Sequence, residues 1–222
     1  GLFFVPGPPV DRLLPVHRIH SMLGTARAKD LARSLRSILR EMDDVTDDMD
    51  DYGPAYTKNE FTASSRWFKR TLNYVVPYGR LPAVFDELHR RNPTLPDPDP
   101  DEYYMSREQI AELSSAGMLV GAHTRTHPVL TRLDPAEQAV ELSASMAFVE
   151  DVADPPIRTF AYPYGGASVY DDRTLACLRR ASCDVAFTTE PADVSPQDIE
   201  NRPLRLPRWD CNEFPHGAAS TS

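Results

Sequence analysis

The order of apolar and polar positions divides the chain into two textures. LFFVP, from Leu2 to Pro6, is an unbroken apolar run closed by proline, which predicts a strand buried on both faces. From Arg12 to Glu41, Leu13, Leu14, Ile19, Leu23, Leu31, Leu35 and Leu39 recur at roughly helical spacing, with a break near Gly24 and Thr25. That pattern predicts two helices. Two more amphipathic helices are expected over Phe61 to Leu72 and Leu81 to Leu88, followed by an extended linker, NPTLPDPDPD, from Asn92 to Asp101.

Beyond the linker, strand-like and helix-like segments alternate. Ser106 with Gln109 three residues on is a capping-box arrangement, and Ile110 and Leu113 supply that helix with an apolar face up to Gly117. MLVGAH predicts a strand ending at His123. Asp134 and Pro135 open a helix through Val149, with proline at the first helical position. IRTFAY (Ile157 to Tyr162) predicts a strand running into PYGG, Asp172 to Ser182 a helix with Asp171 and Asp172 as capping and dipole partners, and DVAFTT (Asp184 to Thr189) another strand. Such alternation with short connections belongs to α/β proteins. It predicts a parallel sheet or a barrel with its chemistry at the C-terminal ends of the strands. HTRTHP and YPYGG each follow a strand directly and would meet on one rim.

A chain of 222 residues can bury one sizeable core and still carry a large insertion, so one domain is expected. Its 21 prolines are about twice the usual share of roughly 5%, which favours short elements and stiff turns. The formal net charge of -9 is local in origin: EMDDVTDDMDD, from Glu41 to Asp51, contributes seven acids and no base. That run reads as a solvated loop or helix end and says little about partners. No basic stripe interleaved with aromatics appears, which disfavours nucleic acid, and no run of about 18 apolar residues suggests a membrane span. Cys177, Cys183 and Cys211 are an odd set without paired short spacing, expected to be reduced thiols, which favours the cytoplasm. The opening apolar run leaves room for a targeting segment removed upstream. Nothing in the chain fixes an oligomeric state.

Candidate chemistry centres on GAHTRTHP, where His123 and His127 stand four apart. Two readings are open. The pair are loop residues bonding the backbone, or they are two ligands of a divalent metal such as zinc, which neutral imidazole suits. A catalytic zinc usually takes three protein ligands and an open position, so the pair alone is incomplete. Its place at a strand's C-terminal end favours the metal. YPYGG is a turn in which proline sets the bend and glycine lets backbone approach a ligand, where an exposed N–H could stabilise an oxyanion. His17 and His20 read as polar positions on a helix face. Arg208 and Asp210 flank Trp209, as a structural ion pair or a substrate contact.

Together SREQIAELSSAGMLVGAHTRTHPVL, RTFAYPYGG, DVAFTT and LPRWD resemble the polysaccharide deacetylases of the NodB-homology group, within the carbohydrate esterase 4 class. GLFFVPG resembles the strand that follows that family's first catalytic motif. The resemblance covers Leu2 to Pro9 and Ser106 to about Pro215. It implies a distorted (β/α) barrel, incomplete at its N-terminal strand, with residues 12–104 as a helical insertion or lid. It further implies a divalent metal, zinc by preference, held by His123, His127 and an aspartate, with the backbone N–H of Tyr164 in the oxyanion hole. The implied reaction is hydrolysis of N-acetyl groups on a glycan or polysaccharide precursor.

Three departures from the family are visible. The Thr-Phe-Asp-Asp-Gly motif, which supplies the base and the third ligand, is absent, and none of the pairs Asp43–Asp44, Asp47–Asp48 and Asp50–Asp51 follows a buried strand. Ala161 stands near the place where many members carry arginine, with Arg158 too early to substitute. His216 is not in the late apolar strand that carries the family's acid histidine. The expectation is a deacetylase lacking its first strand, with weak metal binding and little turnover. Hydrolysis of another C–N bond, in a cyclic amide or formamide, and a non-catalytic carbohydrate-binding or scaffold role are the alternatives.

Overall fold

Four short parallel strands set the frame of the candidate site. In the computed structural model, which describes residues 2–4, 13–42, 62–210 and 214, these are β1 (Leu2–Phe4), β2 (Val120–Ala122), β3 (Thr159–Ala161) and β4 (Val185–Phe187). They lie side by side in sequence order, every neighbour parallel. The register sets Phe4 beside Ala122, Ala122 beside Phe160, and Ala161 beside Phe187, so the loops after β2 and β3 leave the same end of the sheet. Leu206 extends the row with a parallel bridge to Phe187. β2 and β3 are buried at every position, as a parallel sheet covered on both faces requires. All four strands are shorter than the apolar runs that predict them. The sheet formed by the described residues is open, and the side chains of β1 lie outside them.

The chain divides into two units, one of 1–9 with 104–222 and one of 10–103. In the first, α6 (Arg107–Ser115) carries the expected capping box of Ser106 and Gln109. α7 (Pro135–Ala153) is capped by Asp134, whose carboxylate accepts from the Ala136 and Glu137 N–H groups at 2.8 Å, and it runs four residues past the expected Val149. α8 (Asp172–Arg180) starts at the Asp171 cap. A short helix not expected from the sequence, α9 (Pro196–Asn201), follows Ser195, which caps it.

The regular elements among the second unit's described residues are all helical: α1 (Pro15–Thr25), α2 (Ala28–Glu41), α3 (Ala63–Arg70), a π turn (Thr71–Val75), a 3-10 turn (Tyr78–Arg80), α4 (Leu81–Arg91) and α5 (Pro100–Tyr103). The break between α1 and α2 falls at Ala26 and Arg27, just after the expected Gly24 and Thr25. Ile19, Met22, Leu31, Leu35, Ile38, Phe68, Leu72, Val84, Phe85 and Leu88 form one buried cluster inside this unit. This unit therefore has a core of its own. The expected linker is extended only in part, since its proline-aspartate end turns into α5. Phe61, the aspartate pairs between Asp43 and Asp51, Cys211 and His216 lie outside the described residues.

Candidate metal and oxyanion site

β2 ends at Ala122 and delivers His123 into the loop 123–129. The His123 ring is half-buried, and its Nδ1 lies 2.6 Å from the Ala161 carbonyl at the end of β3. A carbonyl oxygen only accepts, so Nδ1 carries the proton and Nε2 keeps its lone pair. Burial holds this imidazole's pKa down to about 4, and the Arg208 charge adds to the depression against the pull of the carbonyl. A neutral ring with its tautomer set by a backbone carbonyl is the form in which histidine binds a metal.

His127 reaches the same place by a strained route. Thr124 and His127 both have left-handed backbone, at φ 62° and 60°, which costs non-glycine residues of order 1 kcal/mol or more each. Two devices hold the turn. The buried Thr124 hydroxyl donates to the His123 carbonyl at 2.5 Å and accepts the His127 N–H at 3.1 Å. Glu141 of α7, also buried, accepts the N–H groups of Arg125 and Thr126 at 2.8 Å each and the Thr126 hydroxyl at 2.7 Å. As a result the His123 and His127 rings stand 4.9 Å apart between centroids, edge to face.

The loop after β3 closes on the pair. Tyr164, with φ 62°, sets its ring 4.9 Å from that of His127. Gly165 follows at φ 67°, and a Cβ there would lie 2.2 Å from Thr189 Cγ2, so this position admits glycine alone without rearrangement. The Gly165 carbonyl accepts the Thr189 N–H at 3.0 Å, tying the turn to the chain beyond β4. Tyr162, buried behind the turn, stacks on Tyr170 at 4.2 Å and donates its hydroxyl to the Leu204 carbonyl at 2.7 Å.

His123, His127 and Tyr164 are thus brought together, as their shared rim predicts. His17 and His20 belong to α1 in the helical unit, where the His17 ring lies 5.4 Å from Tyr103. The favoured ion pair of Arg208 and Asp210 does not form: Arg208 makes no salt bridge with any described carboxylate. Its backbone N–H instead donates to the Glu190 carbonyl at 2.9 Å, and Trp209 donates to Asp193 at 2.8 Å. No motif in the sequence singles out Glu141, Ser145 and Gln138. Ser145 accepts the His123 N–H at 3.2 Å, and Gln138 donates to the Leu130 carbonyl and accepts from Thr174. The three share a face of α7, and their polarity there was the available signal.

Comparison with known proteins bears on the same stretch. Residues 98–186 match the polysaccharide deacetylase family. That segment contains β2, the histidine loop, α7, β3 and the PYGG turn. Over 94 residues the chain is 26% identical to YxkH of Bacillus subtilis, which carries a polysaccharide deacetylase name, and spans 33% of that protein's length. IcaB from Ammonifex degensii is 27% identical at a TM-score of 0.39, covering 47% of this chain and 46% of its own. The deacetylase PplD of Streptococcus pyogenes, solved with acetate, is 16% identical at 0.42, covering 81% and 79%.

The two histidines are donors of the type a divalent ion takes, and no group of three or more His, Cys, Asp or Glu is found among the described residues. Glu141 is not a spare ligand, because both its oxygens are engaged by the loop. No helix among the described residues is long and apolar enough to cross a membrane.

Proposed function

We propose that this chain carries the histidine half of a metal-dependent deacetylase that removes N-acetyl groups from a glycan or polysaccharide precursor, on part of a distorted (β/α) barrel. The observation that carries the reading is the His123 tautomer. With Nδ1–H given to the Ala161 carbonyl, Nε2 keeps its lone pair for an ion, on a ring 4.9 Å from that of His127. In this reading His123 and His127 hold a divalent ion, zinc by preference, which when bound supplies an acidified water and polarises the acyl oxygen.

The chain's own residues do the rest of the positioning. The Ala161 carbonyl fixes one ligand ring. Glu141 and Thr124 hold the strained turn that aims the other. The Tyr164 N–H, placed by the left-handed turn and the Gly165–Thr189 tie, donates to the oxyanion formed when water adds to the acetamide carbon. Collapse of that adduct, with the proton lost by the water passing to the nitrogen, breaks the C–N bond and yields acetate and the free amine. Two histidines leave the metal one ligand short, so the 222-residue chain is expected to bind it weakly and turn over slowly.

The test is acetate release from an N-acetylglucosamine oligomer by the protein before chelation, after chelation and after zinc is restored. Slow release that chelation abolishes and zinc restores supports the reading. Release that survives chelation unchanged would sink it.

A further inference from the structure

An exposed aromatic pair shares the histidines' end of the sheet. The chain beyond β4 returns beside it: Leu206 pairs in parallel with Phe187, the Thr188 N–H donates to the Leu206 carbonyl at 2.8 Å, and the Arg208 N–H donates to the Glu190 carbonyl at 2.9 Å. Thr189, between those two ties, donates to the Gly165 carbonyl at 3.0 Å. Trp209 therefore leaves the sheet at the same end as His123 and Tyr164, with residues 188–190 between it and the PYGG turn.

Trp209 is 47% exposed and Phe214 52%, with their ring centroids 6.2 Å apart and their planes tilted by 53°. The indole is held where it stands, because its Nε1–H donates to the Asp193 carboxylate, in the loop after β4, at 2.8 Å. That bond occupies one oxygen of Asp193. The other meets no partner among the described residues. A tethered aromatic face in water keeps apolar surface hydrated that a ligand would cover, and the carboxylate at its edge adds a fixed acceptor. A pyranose matches both. One face of that ring is made of C–H bonds, which lie well on the electron-rich face of an indole, and its rim carries hydroxyls, which donate to a carboxylate. Asp193 disfavours an anion, and a purely aliphatic ligand would cover its open oxygen without meeting it.

We propose that Trp209 is the platform of a second sugar subsite, which stacks a neutral pyranose of the same glycan whose acetamide lies at the histidine loop, with Asp193 accepting a hydroxyl of that ring. This rests on the reading of His123 and His127 as a deacetylase site. Filling both places takes a chain of several sugars, so Trp209 favours oligomers over a single N-acetylated sugar.

The chain holds two tryptophans, so in a Trp67→Phe background Trp209 is the sole indole and its emission reports on this place alone. The test titrates that protein with the N-acetylglucosamine monomer and hexamer, and measures hexamer binding by the whole chain, Trp209→Ala and Trp209→Phe by calorimetry. The hexamer should quench the emission at concentrations where the monomer does not. Trp209→Ala should weaken hexamer binding about tenfold, the scale that stacking on one aromatic ring carries. Trp209→Phe, which keeps an apolar face, should recover part of that loss. Emission that ignores the hexamer, or hexamer binding by Trp209→Ala equal to that of the wild type, overturns the subsite while the histidine reading stands. Acetate release that survives chelation unchanged removes the histidine reading and this one with it.

Discussion

His123 is held neutral by its surroundings, and that has a consequence for stability. Its folded pKa is about 4 against an ordinary value of 6.5, so between these limits the unfolded chain binds the extra proton and the native state does not. Stability from this group is therefore full above pH 6.5 and falls as the pH drops toward 4. From pH 7 to pH 5 the metal-free protein should lose about 2 kcal/mol that a His123→Gln variant does not lose. Urea unfolding of both proteins at the two pH values checks this. Equal losses would show that the ring is not desolvated. Their spacing and their place at a strand's C-terminal end predict that His123 and His127 can share an ion. They could not reveal the Nδ1–H bond to Ala161, which depends on β2 and β3 being neighbours.

At the scale of elements, α7 is the part of the site that periodicity conceals. Its buried face mixes Gln138, Glu141 and Ser145 with Leu142, Met146 and Val149, so the helix is amphipathic in position but not in chemistry. Those polar side chains bond the loops after β2 and before α7, and Gln138 reaches Thr174 at the start of α8. Glu141→Ala leaves two backbone N–H groups and a hydroxyl unmet and should cost about 3 kcal/mol. Glu141→Gln keeps one oxygen for the N–H pair and should cost about 1 kcal/mol. Chemical denaturation ranks them, and equal small losses would mean that the loop does not lean on this carboxylate.

Caps and breaks are the most legible elements, because their signals are local: Ser106 with Gln109, Asp134 with Pro135 and Asp171 all hold, and the break expected near Gly24 and Thr25 falls just after them, at Ala26 and Arg27. Strand lengths were less so, since pairing extends over only part of each apolar run. The failed Arg208–Asp210 pair shows the same limit, as nearness in sequence does not decide which way a side chain turns.

For the whole molecule, residues 10–103 form a unit of their own, where a helical insertion over 12–104 is the expectation. What the sequence did not disclose is that its apolar residues gather into one buried cluster. Phe85 is wholly buried there, with the Arg18 guanidinium 4.3 Å above its ring. Phe85→Ala should destabilise this unit by about 3 to 5 kcal/mol while leaving zinc affinity unchanged. Calorimetric unfolding read beside a metal titration would show it, and a parallel loss of metal binding would contradict it.

The central claim is that His123 and His127 together hold one divalent ion. Zinc titration by calorimetry at pH 8, on the wild-type chain, His123→Ala and His127→Ala, tests it most directly. The account predicts one ion per wild-type chain and loss of that binding in each variant. A wild-type chain that takes up no zinc, or a variant that binds it as well as the wild type, would contradict it.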